Sequence, residues 1–437
     1  MIHPLQIQDL RDSSKRNSLL GQVVSLQGWA WRVRGSGQIR FIQVRDGSGF
    51  MQVVAEASAL SEELFEQTKR LSQETSIKVS GILVENTREA LGVEIQLQTL
   101  EVLGTSTDYP ITPKEHGTDF LMDLRHLWLR SPRQQAILRV RHVISQSIRS
   151  YFDDLGFTLV DAPIFTAYHC EGTSTLFGTE YFDKQAFLSQ SGQLYMEAAA
   201  MAVGKAYCFG PTFRAENSNT RRHLTEFWMV EPEVAFMELD EDMLLAQGLI
   251  HLIIQNVLDK CAPELKILER DTEKLKKSLA PFVQISYDEA VEILHKAGEE
   301  FVWGDDFGGG HETIIAQSYE TPVIVHRYPA SLKPYYMRKD PNKPQVALNM
   351  DVLAPEGYGE IVGGGEREFN FDILKQALND HQISEEDFKW YLDLRQYGSV
   401  PHAGFGLGLE RTVAWICGLP HVRETIPFPR LPNRLTP

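Results

Sequence analysis

The chain has 437 residues, 43% hydrophobic and 23% charged, the make-up of an ordinary globular protein too long for one small core and sized for two or three domains. Lys+Arg 43 against Asp+Glu 59 leaves a net charge of -16, which excludes indiscriminate nucleic-acid binding but not a local basic groove on an acidic body.

The first hundred or so residues read as short strands: "GQVVSLQGWAW", "IRFIQVRDGSGFMQVVA", "SIKVSGILVE" and "VEIQLQTLEVLG". "DGSG" is a hairpin signal that divides the second stretch into two strands, and "SALSEELFEQTKRLSQET" interrupts the series as an amphipathic helix. Five strands with one helix before the fourth predict a small closed barrel of the oligonucleotide-binding type over residues 1–103; the alternative is a sandwich fragment without a ligand. Residues 104–130, with two prolines and small polar residues, read as a hinge.

Ser131 as N-cap and Pro132 at the first helical position open a long helix, with Ile137, Val140, Ile144, Ile148 and Tyr151 on one face. It leads into "TLVDAPIF", read as a strand. The rest, to residue 437, alternates strands and helices without βαβ regularity and predicts a large mixed or antiparallel α+β domain. Residues 262–320 read as a helical, polar insertion. The four cysteines (Cys170, Cys208, Cys261, Cys417) form no CxxC pair, so neither a metal site nor a disulfide framework is expected. No signal-peptide core and no bilayer-length apolar run is present, and a cytoplasmic location is expected.

Chemistry concentrates in "FRAENSNTRRHLTEFWMVEPE". Two strands joined by a polar loop would set Arg214 and Glu216 on one face and Phe227, Met229, Glu231 and Glu233 on another, with Arg221, Arg222 and His223 in the loop. Guanidinium forks, a ring and carboxylates suit a nucleoside triphosphate with Mg2+, and the partners of these charges are then mostly ligand groups; the alternative is an ion-pair ladder on a solvated sheet face. "HAGFGLGLERTVAWICGL" adds three alternating glycines before Arg411, and "MDVLAPEGYGEIVGGGER" adds Asp351, Glu360 and Arg367.

These segments resemble motifs 1, 2 and 3 of the class II aminoacyl-tRNA synthetases, at about 132–163, 207–236 and 402–419 and in the family order. The preceding barrel is similar to the aspartyl, asparaginyl and lysyl subgroup, and "FGPTFRAENSNTRRHLTEFWMVEPE" with "HVRETIPFPR" resembles the asparaginyl-tRNA synthetases. The resemblance covers essentially the whole chain. It implies a mainly antiparallel catalytic sheet flanked by helices, an anticodon-binding barrel, a homodimer built on motif 1 with Pro163 near the partner's site, and asparagine, ATP and tRNA(Asn) as substrates.

By the same resemblance Arg214 binds the α-phosphate, Glu216 the adenine amino group, and Phe227 stacks under the base. His223 and Arg411 hold the β- and γ-phosphates, Arg222 assists (a solvated loop arginine being the alternative), and Asp351 with Glu360 ligate Mg2+. Glu171 and Gln193 hold the α-amino group, while Arg367 and Glu231 grip the side-chain amide. Aspartyl enzymes carry a lysine where this chain has Met196 and an Asp where it has Glu231, which favours asparagine; an aspartyl or non-discriminating enzyme is the alternative. Glu366 and Glu368, unusual neighbours for Arg367, are expected to turn to the opposite face. Phe41 and Gln52 correspond to the pair that stacks on and hydrogen-bonds the middle anticodon base.

Overall fold

The computed structural model describes residues 3–167, 176–218 and 220–437, and the chain divides into two compact units, Met1–Leu121 and Met122–Pro437. The division falls within a short helix, Thr118–Asp123.

In the first unit, β1 (Val23–Arg34), β2 (Ile39–Arg45), β3 (Phe50–Glu56), β4 (Ser76–Glu85) and β5 (Val93–Gly104) form one sheet, with α1 (Glu62–Lys69) ahead of the fourth strand. Antiparallel pairing of β1 with β4, from Val23 opposite Ile82 to Trp29 opposite Ser76, closes the barrel. Alternation drives the closure: Leu26, Ile42, Val53, Ile77, Val79 and Ile95 all point inward and are fully buried. The β2–β3 turn is held by Asp46, whose carboxylate accepts from the backbone N–H of Ser48 (2.7 Å) and Gly49 (2.9 Å).

The second unit begins with the long helix α2 (Pro132–Asp154), where the Ser131 hydroxyl accepts from the Gln134 amide. Its apolar stripe, Ile137, Val140, Ile144 and Ile148, packs in one core with Leu249, Ile253, Ile254 and Val257 of α4 (Leu239–Lys260). Each such fully buried aliphatic side chain contributes roughly 1.5–3 kcal/mol. Between these helices in sequence lie α3 (Gln193–Val203), β6 (Lys205–Phe213) and β7 (Glu226–Ala235). They are followed by β8 (Val283–Ser286), α5 (Tyr287–Lys296), α6 (Gly309–Gln317), β9 (Val323–His326), β10 (Asn349–Ala354) and β11 (Gly359–Glu366). The chain continues through α7 (Phe371–Asp380), α8 (Lys389–Gln396), β12 (His402–Gly408) and α9 (Leu409–Cys417). The main sheet runs β8-β9-β10-β11-β12-β7-β6 and ends on the two-residue strand Thr158–Leu159. Only the outermost pairings are parallel; every pairing from β9 to β6 is antiparallel.

Three expectations change. "TLVDAPIF" is not one strand but two fragments, Thr158–Leu159 and Phe165–Thr166, with Pro163 between them, a residue that has no N–H for a ladder. Residues 262–320, expected to be helical, contain a strand as well. They supply β8 to the main sheet, and α5 and α6 cover its end in a core of Tyr287, Leu294, Phe307 and Ile315. Finally, β6 stops at Phe213, so Arg214 and Glu216 stand beyond the strand rather than on its face.

Candidate active site

The site is laid out by three strands. In β7 the residues opposite β12 put Met229 against Gly408 and Glu233 against Gly404. A Cβ on Gly404 would overlap the Pro232 carbonyl and the Glu233 carboxylate, and one on Gly406 would overlap the Met229 methyl. The alternating glycines therefore clear room for Met229, Glu231 and Glu233 to lie over the neighbouring strand. Beyond Gly408, Glu410 is buried and locks α9 in place: it accepts from the Trp228 amide (2.9 Å) and pairs with Arg141 of α2 (2.7 Å).

One end of this surface opens into a pocket lined by Arg214, Glu216, His223, Phe227, Gly408 and Arg411. The Arg214 guanidinium stands 5.5 Å from the centre of the half-buried Phe227 ring. Arg411 is held by backbone: Nη1 donates to the Glu360 carbonyl (2.8 Å) and Nε to the Arg222 carbonyl (3.3 Å). Its Nη2 donates to His223 Nε2 (3.4 Å), so Nδ1 of that ring carries the proton and faces the hydroxyls of Ser218 (3.3 Å) and Thr220. Burial, then Arg411, holds His223 below the usual histidine range. Arg222 is not a solvated loop residue. It donates to Glu312 (2.9 Å), the Thr313 hydroxyl (3.0 Å) and the carbonyls of Gly309 (3.4 Å) and Gly357 (2.5 Å).

The other end is a buried polar pocket lined among others by Ser191, Gln193, Glu231, Lys333, Tyr336 and Arg367. Glu231 takes a short hydrogen bond from the Ser191 hydroxyl, one from the Gly192 amide (2.8 Å) and one from the Cys208 thiol (3.4 Å). Donors of this kind favour the charged carboxylate. Arg367 closes on Glu233 through Nε (3.1 Å) and Nη2 (3.0 Å), leaving Nη1 outside the fork, and this contact holds its guanidinium charged against burial. The neighbours have other partners: Glu366 takes Arg338 (2.6 Å) and the Leu239 amide (3.0 Å), and Glu368 takes the Asn370 amide (2.8 Å). Gln193 donates to Glu197 (3.1 Å), which also accepts from Tyr391, Arg395 and His402. Burial alone would raise Glu197, but Arg395, His402 and Arg367 outweigh it and hold the carboxyl well below the usual range. Met196 is buried against Ala206 and Cys208, behind the pocket.

Asp351 on β10 and Glu360 on β11 converge beside Gly363, where a Cβ would sit 3.4 Å from Asp351 Oδ1 and 2.9 Å from Glu360 Oε1. The other oxygen of Asp351 accepts from Lys333 (3.0 Å), and Asp351 followed by Glu360 holds Lys333 charged despite burial. Two carboxylates are an oxygen-only donor set that suits Mg2+ when waters and phosphates complete it. Among the described residues no group of three or more His, Cys, Asp or Glu could hold a metal alone. Burial, then Glu360, pushes nearby Glu312 up to about 7, with Arg222 pulling the other way.

The residues expected at the site thus come together in two adjoining pockets, and Glu171 lies outside the described residues. Glu231 and Glu233 of the 213–233 segment are met by protein donors, contrary to the expectation that ligand groups would satisfy its charges. Ser191, Lys333, Glu312 and the Glu197–Arg395 pair escaped the sequence reading. Nothing local singles them out: Ser191 lies among Ser189, Gln190 and Gln193, and Glu312 between His311 and Thr313. In the first unit Gln52 donates to Glu94 (2.9 Å) and accepts from Arg34 (3.3 Å), whose guanidinium lies 5.7 Å from the Phe41 ring.

Residues 117–432 match the family model of class II tRNA synthetases (D, K and N), and residues 24–103 match that of the OB-fold nucleic acid binding domain. An asparagine–tRNA ligase of Sorangium cellulosum is 56% identical over 446 residues, covering 99% of this chain and 100% of the relative. That of Desulforamulus reducens is 54% identical over 95% of this chain and 96% of its own length. Asparaginyl-tRNA synthetase from Pyrococcus horikoshii, complexed with asparaginyl-adenylate, superposes with a TM-score of 0.94 at 41% identity, over 96% of this chain and 97% of that one. An aspartyl tRNA synthetase from Entamoeba histolytica gives 0.85 at 26%, over 99% and 92%. With its closed barrel, its antiparallel catalytic sheet and its paired pockets, the chain belongs to the class II tRNA synthetases of the D, K and N group, in the asparagine–tRNA ligase family.

Proposed function

We propose that the chain joins L-asparagine to tRNA(Asn) in two steps at the expense of ATP. A carboxylate oxygen of asparagine attacks the α-phosphorus, forming asparaginyl-adenylate as pyrophosphate leaves. A terminal ribose hydroxyl of the tRNA then attacks the adenylate carbonyl, giving up its proton as AMP departs. Neither step needs a protein nucleophile; both need positioning and neutralisation of phosphate charge.

The observation that carries the reading is the charge balance of the amino-acid pocket. Arg367 and Glu233 cancel, Glu231 accepts from three donors, and Met196 occupies the position at which, by the resemblance, the aspartyl enzymes carry a lysine. Glu231 accepts from the carboxamide NH2 of asparagine and Arg367 faces its oxygen, whereas aspartate would meet Glu231 charge to charge. Gln193, with Glu171, holds the α-amino group. In the nucleotide pocket Phe227 and Arg411 flank the base, Glu216 reads its amino group, Arg214 binds the α-phosphate, and His223 and Arg411 take the outer phosphates. Asp351 and Glu360 would hold Mg2+, which when bound supplies positive charge against the phosphates.

In the barrel, Phe41 and Gln52 read the anticodon, the Arg34–Gln52 contact giving way to a base edge. The exposed apolar Leu155, Leu159, Ile164 and Phe165 after α2 support a homodimer through this face. Among the described residues no helix is long and apolar enough to cross a membrane, and the buried free thiols Cys208, Cys261 and Cys417 suit a reducing cytoplasm. Amino-acid-dependent ATP–pyrophosphate exchange tests the reading: asparagine should support exchange and aspartate should not, and exchange with aspartate alone would reverse the assignment.

A further inference from the structure

Arg411 takes its orientation from two backbone carbonyls on separate elements, Arg222 in the loop between β6 and β7 and Glu360 on β11. One side chain reaches both carriers. Glu312 of α6 accepts from Arg222 Nη1 (2.9 Å) and from the Glu360 amide (3.3 Å) through the same oxygen, Oε2. The second arm of Arg222 is fixed to the same helix by the Thr313 hydroxyl (3.0 Å) and the Gly309 carbonyl (3.4 Å). The backbone leaves space for this junction: a Cβ on Gly359, at φ +73, would overlap Glu312 and Arg222.

We infer that Glu312 is a positioning residue for ATP, acting through Arg222 and Glu360 to set the guanidinium of Arg411. This rests on the reading of Arg411 as a phosphate and base ligand. It gives the segment between α4 and β9 a part in the reaction, since Gly309, Glu312 and Thr313 of α6 hold Arg222, which lines the nucleotide pocket. The bland alternative is an ion pair that only fastens α6 to the sheet. The two differ in what they move: a fastening pair changes stability and treats both small substrates alike, whereas a positioning residue changes the use of ATP.

The test compares Glu312→Gln with the wild type in asparagine-dependent ATP–pyrophosphate exchange. Wild-type exchange with asparagine secures the underlying reading, so the ratio of variant to wild type isolates the role of Glu312. The ATP KM should rise about tenfold, the loss of one charge-assisted contact, while the asparagine KM stays within about twofold. Glu320→Gln, at the exposed pair with Lys277 in the same segment, is the control and should leave both constants alone. An ATP KM that does not change, or that rises in step with the asparagine KM, overturns the inference. Should Glu312→Gln not fold, Glu312→Asp, which shortens the reach and keeps the charge, is held to the same criterion.

Discussion

On the amino-acid side of the site Arg367 and Arg395 are 3% and 5% exposed and close on Glu233 and Glu197, while on the nucleotide side Arg411 is held by two carbonyls and a histidine, with the Glu360 carboxylate 3.7 Å away. The difference follows the charge of what each half is read to bind. An arginine already neutralised by a carboxylate can orient an uncharged polar side chain without demanding an anion. One held by carbonyl dipoles keeps its net charge for phosphate. The desolvation of the buried half is met inside the protein, by a network in which Glu197 serves Arg395, Tyr391, His402 and Gln193 together.

The contrast breaks most severely at the buried network. Arg395→Met strands the Glu197 carboxylate and should cost about 3–5 kcal/mol, read by urea unfolding of the full chain. A cost near zero would mean that water reaches this pair. Arg411→Ala should instead leave unfolding almost untouched and lower the exchange rate about 10²–10³-fold, as removal of one preorganised charge stabiliser does. Retention of wild-type exchange would remove Arg411 from the nucleotide site. Glu231→Gln sharpens the charge argument: the pocket loses its repulsion, and the preference for asparagine over aspartate in exchange should fall about tenfold. An unchanged preference would move discrimination elsewhere.

Two smaller effects lie outside the paired arginines. Gln52→Ala should weaken tRNA charging several-fold, on the order of one lost base contact of 1–3 kcal/mol, with tRNA-independent exchange unchanged. Equal losses in both assays would dissociate the barrel from anticodon reading. His421, beside the nucleotide pocket wall at Val422, accepts from the Arg423 amide (3.1 Å). Burial, then Arg423, lowers it from 6.5 to about 4. The unfolded chain therefore takes up the proton first. The contribution of His421 is complete above about 6.5 and is lost as the pH falls towards about 4. With the ring half solvated this amounts to about 1 kcal/mol at most. His421→Asn should flatten the fall in stability between pH 7.5 and 5, and an identical pH profile in the variant would show that the ring is neutral for other reasons.

The barrel, the long helix and the strands around Glu231 were legible because each is encoded within a dozen or so residues: a period of two, a Ser-Pro cap, a "DGSG" turn. β8 was not, because Val283–Ser286 is only four residues long and its partner, Val323–His326, lies beyond two helices. Arg222 was assigned a helping role at phosphate by the resemblance; the contacts that fix it, with Gly309, Glu312, Thr313 and Gly357, lie far along the chain and leave no trace in its own loop.

The order of motifs, the alternating glycines at 404, 406 and 408 and the presence of Arg214, Glu231 and Arg411 were written in the chain, since residue types and spacing are local properties. Which acid meets which base was settled only by folding. Arg367 and Glu233 stand 134 residues apart and Arg395 and Glu197 stand 198 apart, and burial in a common pocket, not spacing, decides such pairs. A charge taken out of water must find its counter-charge wherever the sheet brings one, and that choice leaves Arg367 paired with a carboxylate and Arg411 held mainly by backbone carbonyls.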